Sequence, residues 1–279
     1  MRSFLLLFIL SITLTGLAWA EELTIDENYT INKKLELKVD IDAGEVTIKR
    51  NPEARICHVR IDYNSLYARA DVRYNEEREN MEVLLDYKNW KNIKDHNQKD
   101  APEITIELPW EPVLDMDVEL KAGEFNLDLG DLTIKSFQFS NWAGECNIDF
   151  DQPNRMEMEL LDINFKVGEL NIRNLGNARF SQADINSGIG ELTIDFNGAL
   201  LDRSMAKIDL DIGETTITVP EKIGTKLKVS KFLFLSQVSY PNWFEQKGRY
   251  YYSDNYNESS NNLYLMISSG IGELSIRVD

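Results

Sequence analysis

Histidine and cysteine are almost missing from this chain, with two of each in 279 residues. His58 falls on the outward phase of a strand pattern and His96 in a polar loop, Asp95-His96-Asn97. Neither has a partner at ligand spacing, so both read as surface histidines. There is no HExxH, no nucleophile elbow, no phosphate loop and no CxxC pair. The sequence therefore assigns no catalytic residue, no resident metal and no cofactor. Basic residues are scarce too: 30 Lys and Arg stand against 47 Asp and Glu, a net charge of −17. Nucleic acid is excluded as a partner, because its affinity rests on neutralised phosphates. Docking on anionic lipid is excluded on the same ground.

Long apolar runs are absent after residue 20. Before it, Arg2 leads a nearly apolar stretch from Phe4 to Leu17, and Ala18-Trp19-Ala20 supplies small residues ahead of Glu21-Glu22. This reads as a secretory signal peptide over residues 1–20, too short for a spanning helix. The expected mature chain, residues 21–279, is a single exported domain without an integral membrane segment, found in the periplasm, on the cell surface or secreted. Export invites a disulfide. Yet Cys57 alternates with Val59 and Ile61, and Cys146 takes a slot held elsewhere by Leu170 and Leu192. Both are expected as unpaired core thiols, since buried cysteine behaves as a small hydrophobe.

A short phrase recurs seven times. It reads Gly44-Glu45-Val46-Thr47-Ile48, Gly123-Glu124-Phe125-Asn126-Leu127 and Gly144-Glu145-Cys146-Asn147-Ile148. It continues as Gly168-Glu169-Leu170-Asn171-Ile172, Gly190-Glu191-Leu192-Thr193-Ile194 and Gly213-Glu214-Thr215-Thr216-Ile217, and closes with Gly272-Glu273-Leu274-Ser275-Ile276. The five central copies begin 21, 24, 22 and 23 residues apart. A period in the twenties marks a stacked repeat whose units cannot bury their own apolar faces. Two and four residues after each glycine the side chain is mostly apolar, and the residue between is small and polar. That is period-two alternation, one face inward and one in water. Five and seven residues before the glycine stands a second apolar pair, such as Ile163 and Leu161. Each coil of about 22 residues thus reads as strand, glycine corner, strand, since glycine reaches positive φ without a Cβ penalty. The expected fold is an all-β solenoid, helical in the β-helix sense, with regular coils over residues 115–220.

Two segments break the period. Residues 52–114 carry strand-like runs at Ile56–Tyr63, Tyr67–Tyr74, Met81–Tyr87 and Glu103–Leu108, an insertion expected to cover one end. Residues 221–262 hold a coil that lost its glycine and an aromatic insertion from Tyr240 to Tyr256. A final coil fills residues 263–279.

On the Gly-Glu phrases of residues 115–219, the closing Ser269–Ile276 and the opening Asp42–Ile48, the chain resembles the bacterial toast-rack domains. These include adhesin-like domains of unknown function and the C-terminal domain of LiaF-type cell-wall-active-antibiotic response proteins. The resemblance implies an envelope-associated, adhesin-like protein and brings no catalytic residue with it. LiaF-type proteins place transmembrane helices before this domain, whereas this chain begins with a cleavable signal.

Two surface features are candidate sites. Glu124, Glu145, Glu169, Glu191 and Glu214 follow the glycines of consecutive coils. Stacked ~4.8 Å apart, neighbours would repel by ~0.9 kcal/mol in water and ~3.5 kcal/mol at an effective dielectric of 20. The relief is splaying into solvent, lysines such as Lys121 and Lys166, or a bound cation. Tyr240, Trp243, Phe244, Tyr250, Tyr251 and Tyr252 form the second candidate, either a lid over the open end of the stack or a patch that stacks on a ligand. A protein or glycan of the cell envelope is the expected partner. The leading expectation is a non-enzymatic, adhesin-like scaffold. The alternatives are a carbohydrate-active β-helix enzyme (lyase or hydrolase) and, less supported, a carrier of a small apolar ligand.

Overall fold

A computed structural model describes residues 22–88, 101–231 and 235–279. The expected signal peptide, His96 and most of its loop lie outside the described residues. Strands dominate: β1 (Glu22–Thr30), β2 (Lys34–Arg50), β3 (Ile56–Asn64), β4 (Ala68–Asn75), β5 (Asn80–Tyr87) and β6 (Glu103–Leu108) come first. Five long strands follow, β7 (Val113–Asp128), β8 (Ile134–Asp149), β9 (Leu160–Arg173), β10 (Gln182–Asp195) and β11 (Arg203–Val219). The remainder are β12 (Gly224–Lys231), β13 (Ser236–Ser239), β14 (Phe244–Lys247), β15 (Tyr250–Ser253), β16 (Asn262–Ser269) and β17 (Ile271–Val278).

The repeated phrases are successive rungs of one parallel stack. Ile148 lies beside Ile172, Ile172 beside Ile194, Ile194 beside Ile217 and Ile217 beside Ile276. All five side chains are buried. The inward residues five and seven before each glycine form matching columns, from Val39 and Leu37 to Ile267 and Leu265. The fold is the all-β solenoid that the repeat implies, with a core of filled ladders. On the outer face the polar column is bonded along the stack: Asn147 Nδ2 donates to Asn126 Oδ1 at 3.3 Å and Asn171 Nδ2 to Asn147 Oδ1 at 3.4 Å.

The corner differs in detail from two separate strands. Each rung of the regular stack is one uninterrupted strand of 14 to 17 residues, bent at the glycine. The bend switches which residue parity points inward: Ala183, Ile185 and Ser187 are buried before Gly190, Leu192 and Ile194 after it. Such a switch needs a residue at φ between 125° and 149°, as at Gly44, Gly123, Gly144, Gly168, Gly190, Gly213 and Gly272. Only glycine visits this region at little steric expense.

The stack does not follow the chain at its ends. β16 pairs with β11 on one side and β12 on the other, and β17 lies between β11 and β13. The final glycine phrase is therefore an interior rung, and the coil that lost its glycine is the outer one. The other end repeats the device. β2 lies between β7 and the pair β5 and β6, so residues of the 52–114 insertion supply the outer rung. That rung is covered by antiparallel neighbours, β3 on β6, β1 on β3, and β4 on β5.

Candidate functional site

The glutamates after the glycines form one exposed column along the bent edge. Glu124, Glu145, Glu169, Glu191 and Glu214 are in direct register. The column is longer than five, because Glu273 continues it beyond Glu214 while Glu45 and Glu103 extend it beyond Glu124. All of these side chains are exposed, and among the described residues none takes part in an ion pair. Lys121, one of the possible reliefs, does not answer the column. Its ammonium reaches back to Asp42 at 2.7 Å and Asp40 at 3.2 Å, which raises its pKa through the hydrogen bond to Asp42. Splaying into solvent is what the column shows. Among the described residues no three His, Cys, Asp or Glu side chains gather around a common metal position.

One residue before each glycine lies a second column that the sequence reading passed over. It reads Ala43, Ala122 and Ala143 in the first three rungs, then Val167, Ile189, Ile212 and Ile271. The last four are exposed by 46%, 52%, 46% and 41%. Aligning the copies one position earlier would have exposed the change from alanine to large apolar side chains.

The aromatic insertion divides into two sets. Phe244 is buried, and Tyr240, Trp243 and Tyr251 pack against the core. Trp243 meets Phe244 edge-on at 5.1 Å, and the Tyr240 and Tyr251 hydroxyls lie 2.7 Å apart. That hydrogen bond pushes the Tyr240 phenol up to about 12. The β14–β15 hairpin seats this set on the edge of β12 through Lys226 opposite Tyr252 and Leu227 opposite Tyr251. Strand alternation turns Tyr250 and Tyr252 the other way. With Tyr264 they surround the Lys226 ammonium, at 4.2, 5.7 and 4.7 Å from the ring centroids of Tyr250, Tyr252 and Tyr264. Core-packed and outward-facing aromatics thus lie on opposite faces of one hairpin.

His58 has partners that spacing could not show. Nε2 lies 2.8 Å from Asp26 on β1 and Nδ1 3.1 Å from Glu107 on β6. The Asp26 hydrogen bond leads in raising its pKa, with burial opposing. It clamps three strands across the covered end, a structural position. Cys57 and Cys146 are unpaired and buried, as the alternation implied. Burial pushes Cys57 up to about 12 and raises Cys146 as well. Among the described residues no helix is long and apolar enough to cross a membrane.

No curated protein matches the chain. Among solved structures, a "putative cell adhesion protein" from Clostridium sporogenes is similar over 92% of this chain and 100% of its own, with 19% identity and a TM-score of 0.45. A "putative adhesin" from Bacteroides fragilis covers 91% and 96%, with 12% identity and a TM-score of 0.39. A "putative lipid binding protein" from Parabacteroides distasonis covers 90% and 96%, at 8% and 0.27. The family model for the C-terminal domain of the cell wall-active antibiotics response protein LiaF matches residues 166–276. The model for the N-terminal domain of toast_rack, DUF2154, matches residues 18–172, more than half of the sequence, and the chain belongs to the toast-rack family.

Proposed function

We propose that this protein works outside the cytoplasm as an adhesin-like, non-enzymatic scaffold that binds a glycan or protein of the cell envelope at its aromatic end. The observation that carries this reading is the division of the β14–β15 hairpin. One face seals the stack with Phe244 and Trp243, and the other holds Tyr250, Tyr252 and Tyr264 around Lys226 outside the core. Aromatic faces next to a cation suit a sugar, whose C–H face stacks on rings while its hydroxyls take the ammonium protons. The toast-rack membership and the leader-like residues 1–20 support the envelope setting. The carboxylates support a scaffold over a polysaccharide-cleaving enzyme, because they run in an exposed column in step with the repeat.

Co-sedimentation with purified cell-wall sacculi tests the proposal. The wild-type chain is expected to pellet, and Tyr250→Ala with Tyr252→Ala to stay in solution with an unchanged urea midpoint. Equal pelleting of the two would end the reading. Release of reducing ends during incubation would replace it with the enzyme. N-terminal sequencing of the exported chain checks the leader, with Glu21 expected first.

A further inference from the structure

The apolar column before the glycines is not needed by the fold. Rungs with Ala43, Ala122 and Ala143 bend and stack in the same register as those with Val167, Ile189, Ile212 and Ile271. Val167 lies beside Ile189, Ile189 beside Ile212, and Ile212 beside Ile271. Leu235 adds a fifth member, since its carbonyl accepts the Gly272 N–H at 3.2 Å, and it is 42% exposed. Contiguous exposed apolar side chains of this kind mark interaction surfaces.

Two residues further along the same rungs stand Glu169, Glu191, Glu214 and Glu273. An apolar row and an acidic row therefore run side by side along one edge. At about 4.8 Å per rung, five rungs span about 19 Å. On the other flank stand Lys166, Gly188, Asp211 and Gly270, two of them without a side chain, which leaves the row open to approach.

We infer that this edge docks a basic amphipathic helix of a partner protein. A second copy of this chain would bring a second glutamate row against the first, and an anionic membrane would be repelled by it. Residues three and four apart on a helix face rise about 4.5–6 Å, which brackets the rung spacing. A helix lying along the stack can set one apolar side chain on each rung and direct Lys or Arg onto the glutamates alongside. About 13 residues cover the row. A partner strand fits poorly, because its same-face residues repeat every ~6.6 Å.

The test uses the full chain and a fluorescein-labelled synthetic 14-residue peptide, with leucines three and four apart and lysines on one flank. The readout is anisotropy at low and high salt. The expected result is saturable binding, at least tenfold weaker for a peptide of the same composition in permuted order. Ile189→Ala with Ile212→Ala, which reproduces the side chain of the first three rungs, should also weaken it at least tenfold. Glu191→Gln with Glu214→Gln should weaken it mainly at low salt. Circular dichroism and urea midpoints of the edge variants should match wild type. Equal binding of the permuted peptide, or undiminished binding by the isoleucine variant, overturns the inference. So does a dimer of the free chain that the isoleucine variant dissociates in sedimentation.

Discussion

Gly168 lies against the peptide group of Gly144 so closely that a β-carbon there would strike the Gly144 carbonyl oxygen and stand 3.0 Å from its carbonyl carbon. Gly144 stands in the same relation to Gly123, and Gly190 to Gly168. The glycine column thus meets two demands at once, a φ that other residues avoid and backbones packed without side chains between them.

Gly168→Ala is expected to lower unfolding free energy by about 2–4 kcal/mol, from backbone strain plus overpacking. Gly248 separates the two effects: its φ is 66°, but a β-carbon there would meet nothing within 4 Å. Gly248→Ala should lose only about 1 kcal/mol. Equal losses in urea titrations would show that close approach adds nothing.

Ile276 belongs to the last of the seven glycine phrases. Here it is an interior ladder member beside Ile217, and its side chain is buried. Ile276→Ala and Ile194→Ala should therefore both fall in the range of about 2–5 kcal/mol. A loss below 1 kcal/mol for Ile276→Ala alone would place the final phrase at a loose edge.

The His58 clamp makes stability depend on pH. Its folded pKa is raised by Asp26 and Glu107, so its contribution is fully present below the unfolded value of roughly 6.5 and fades as pH rises through the folded value. Wild type should lose stability from about pH 6.5 upward relative to His58→Gln. Parallel pH profiles for the two proteins would remove His58 from the account.

Both thiols should be silent toward a thiol reagent at pH 8 in the native chain, because burial holds them protonated and out of reach. Denaturation without reductant should release two equivalents. Fewer than two would mean a disulfide or an oxidised cysteine.

Much of this was written in the sequence, because a stack repeats its demands at every rung. The isoleucine and glutamate columns follow directly from aligning the glycines, as does the burial of Cys146 in a leucine slot. Spatial order at the ends was not legible: parallel pairing leaves no local mark, so nothing near Gly272 says that β13 lies outside it. The partners of His58 and Lys121 come from strands 32 and 79 residues away in sequence. The apolar row was hidden for another reason. Its first three members are alanines, and the pattern acquires bulk only from Val167 onward.

The interlocked ends bear on how the molecule comes to be. β12 and β13 find their main partners in β16 and β17, which follow them in the chain and are made afterwards. Until residues 262–278 emerge and slide in beside β11, the coil and its aromatic hairpin have no bed to settle on. Closure of the outer rung therefore waits on residues 262–278, and residues 272–275 of β17 end up held between β11 and β13.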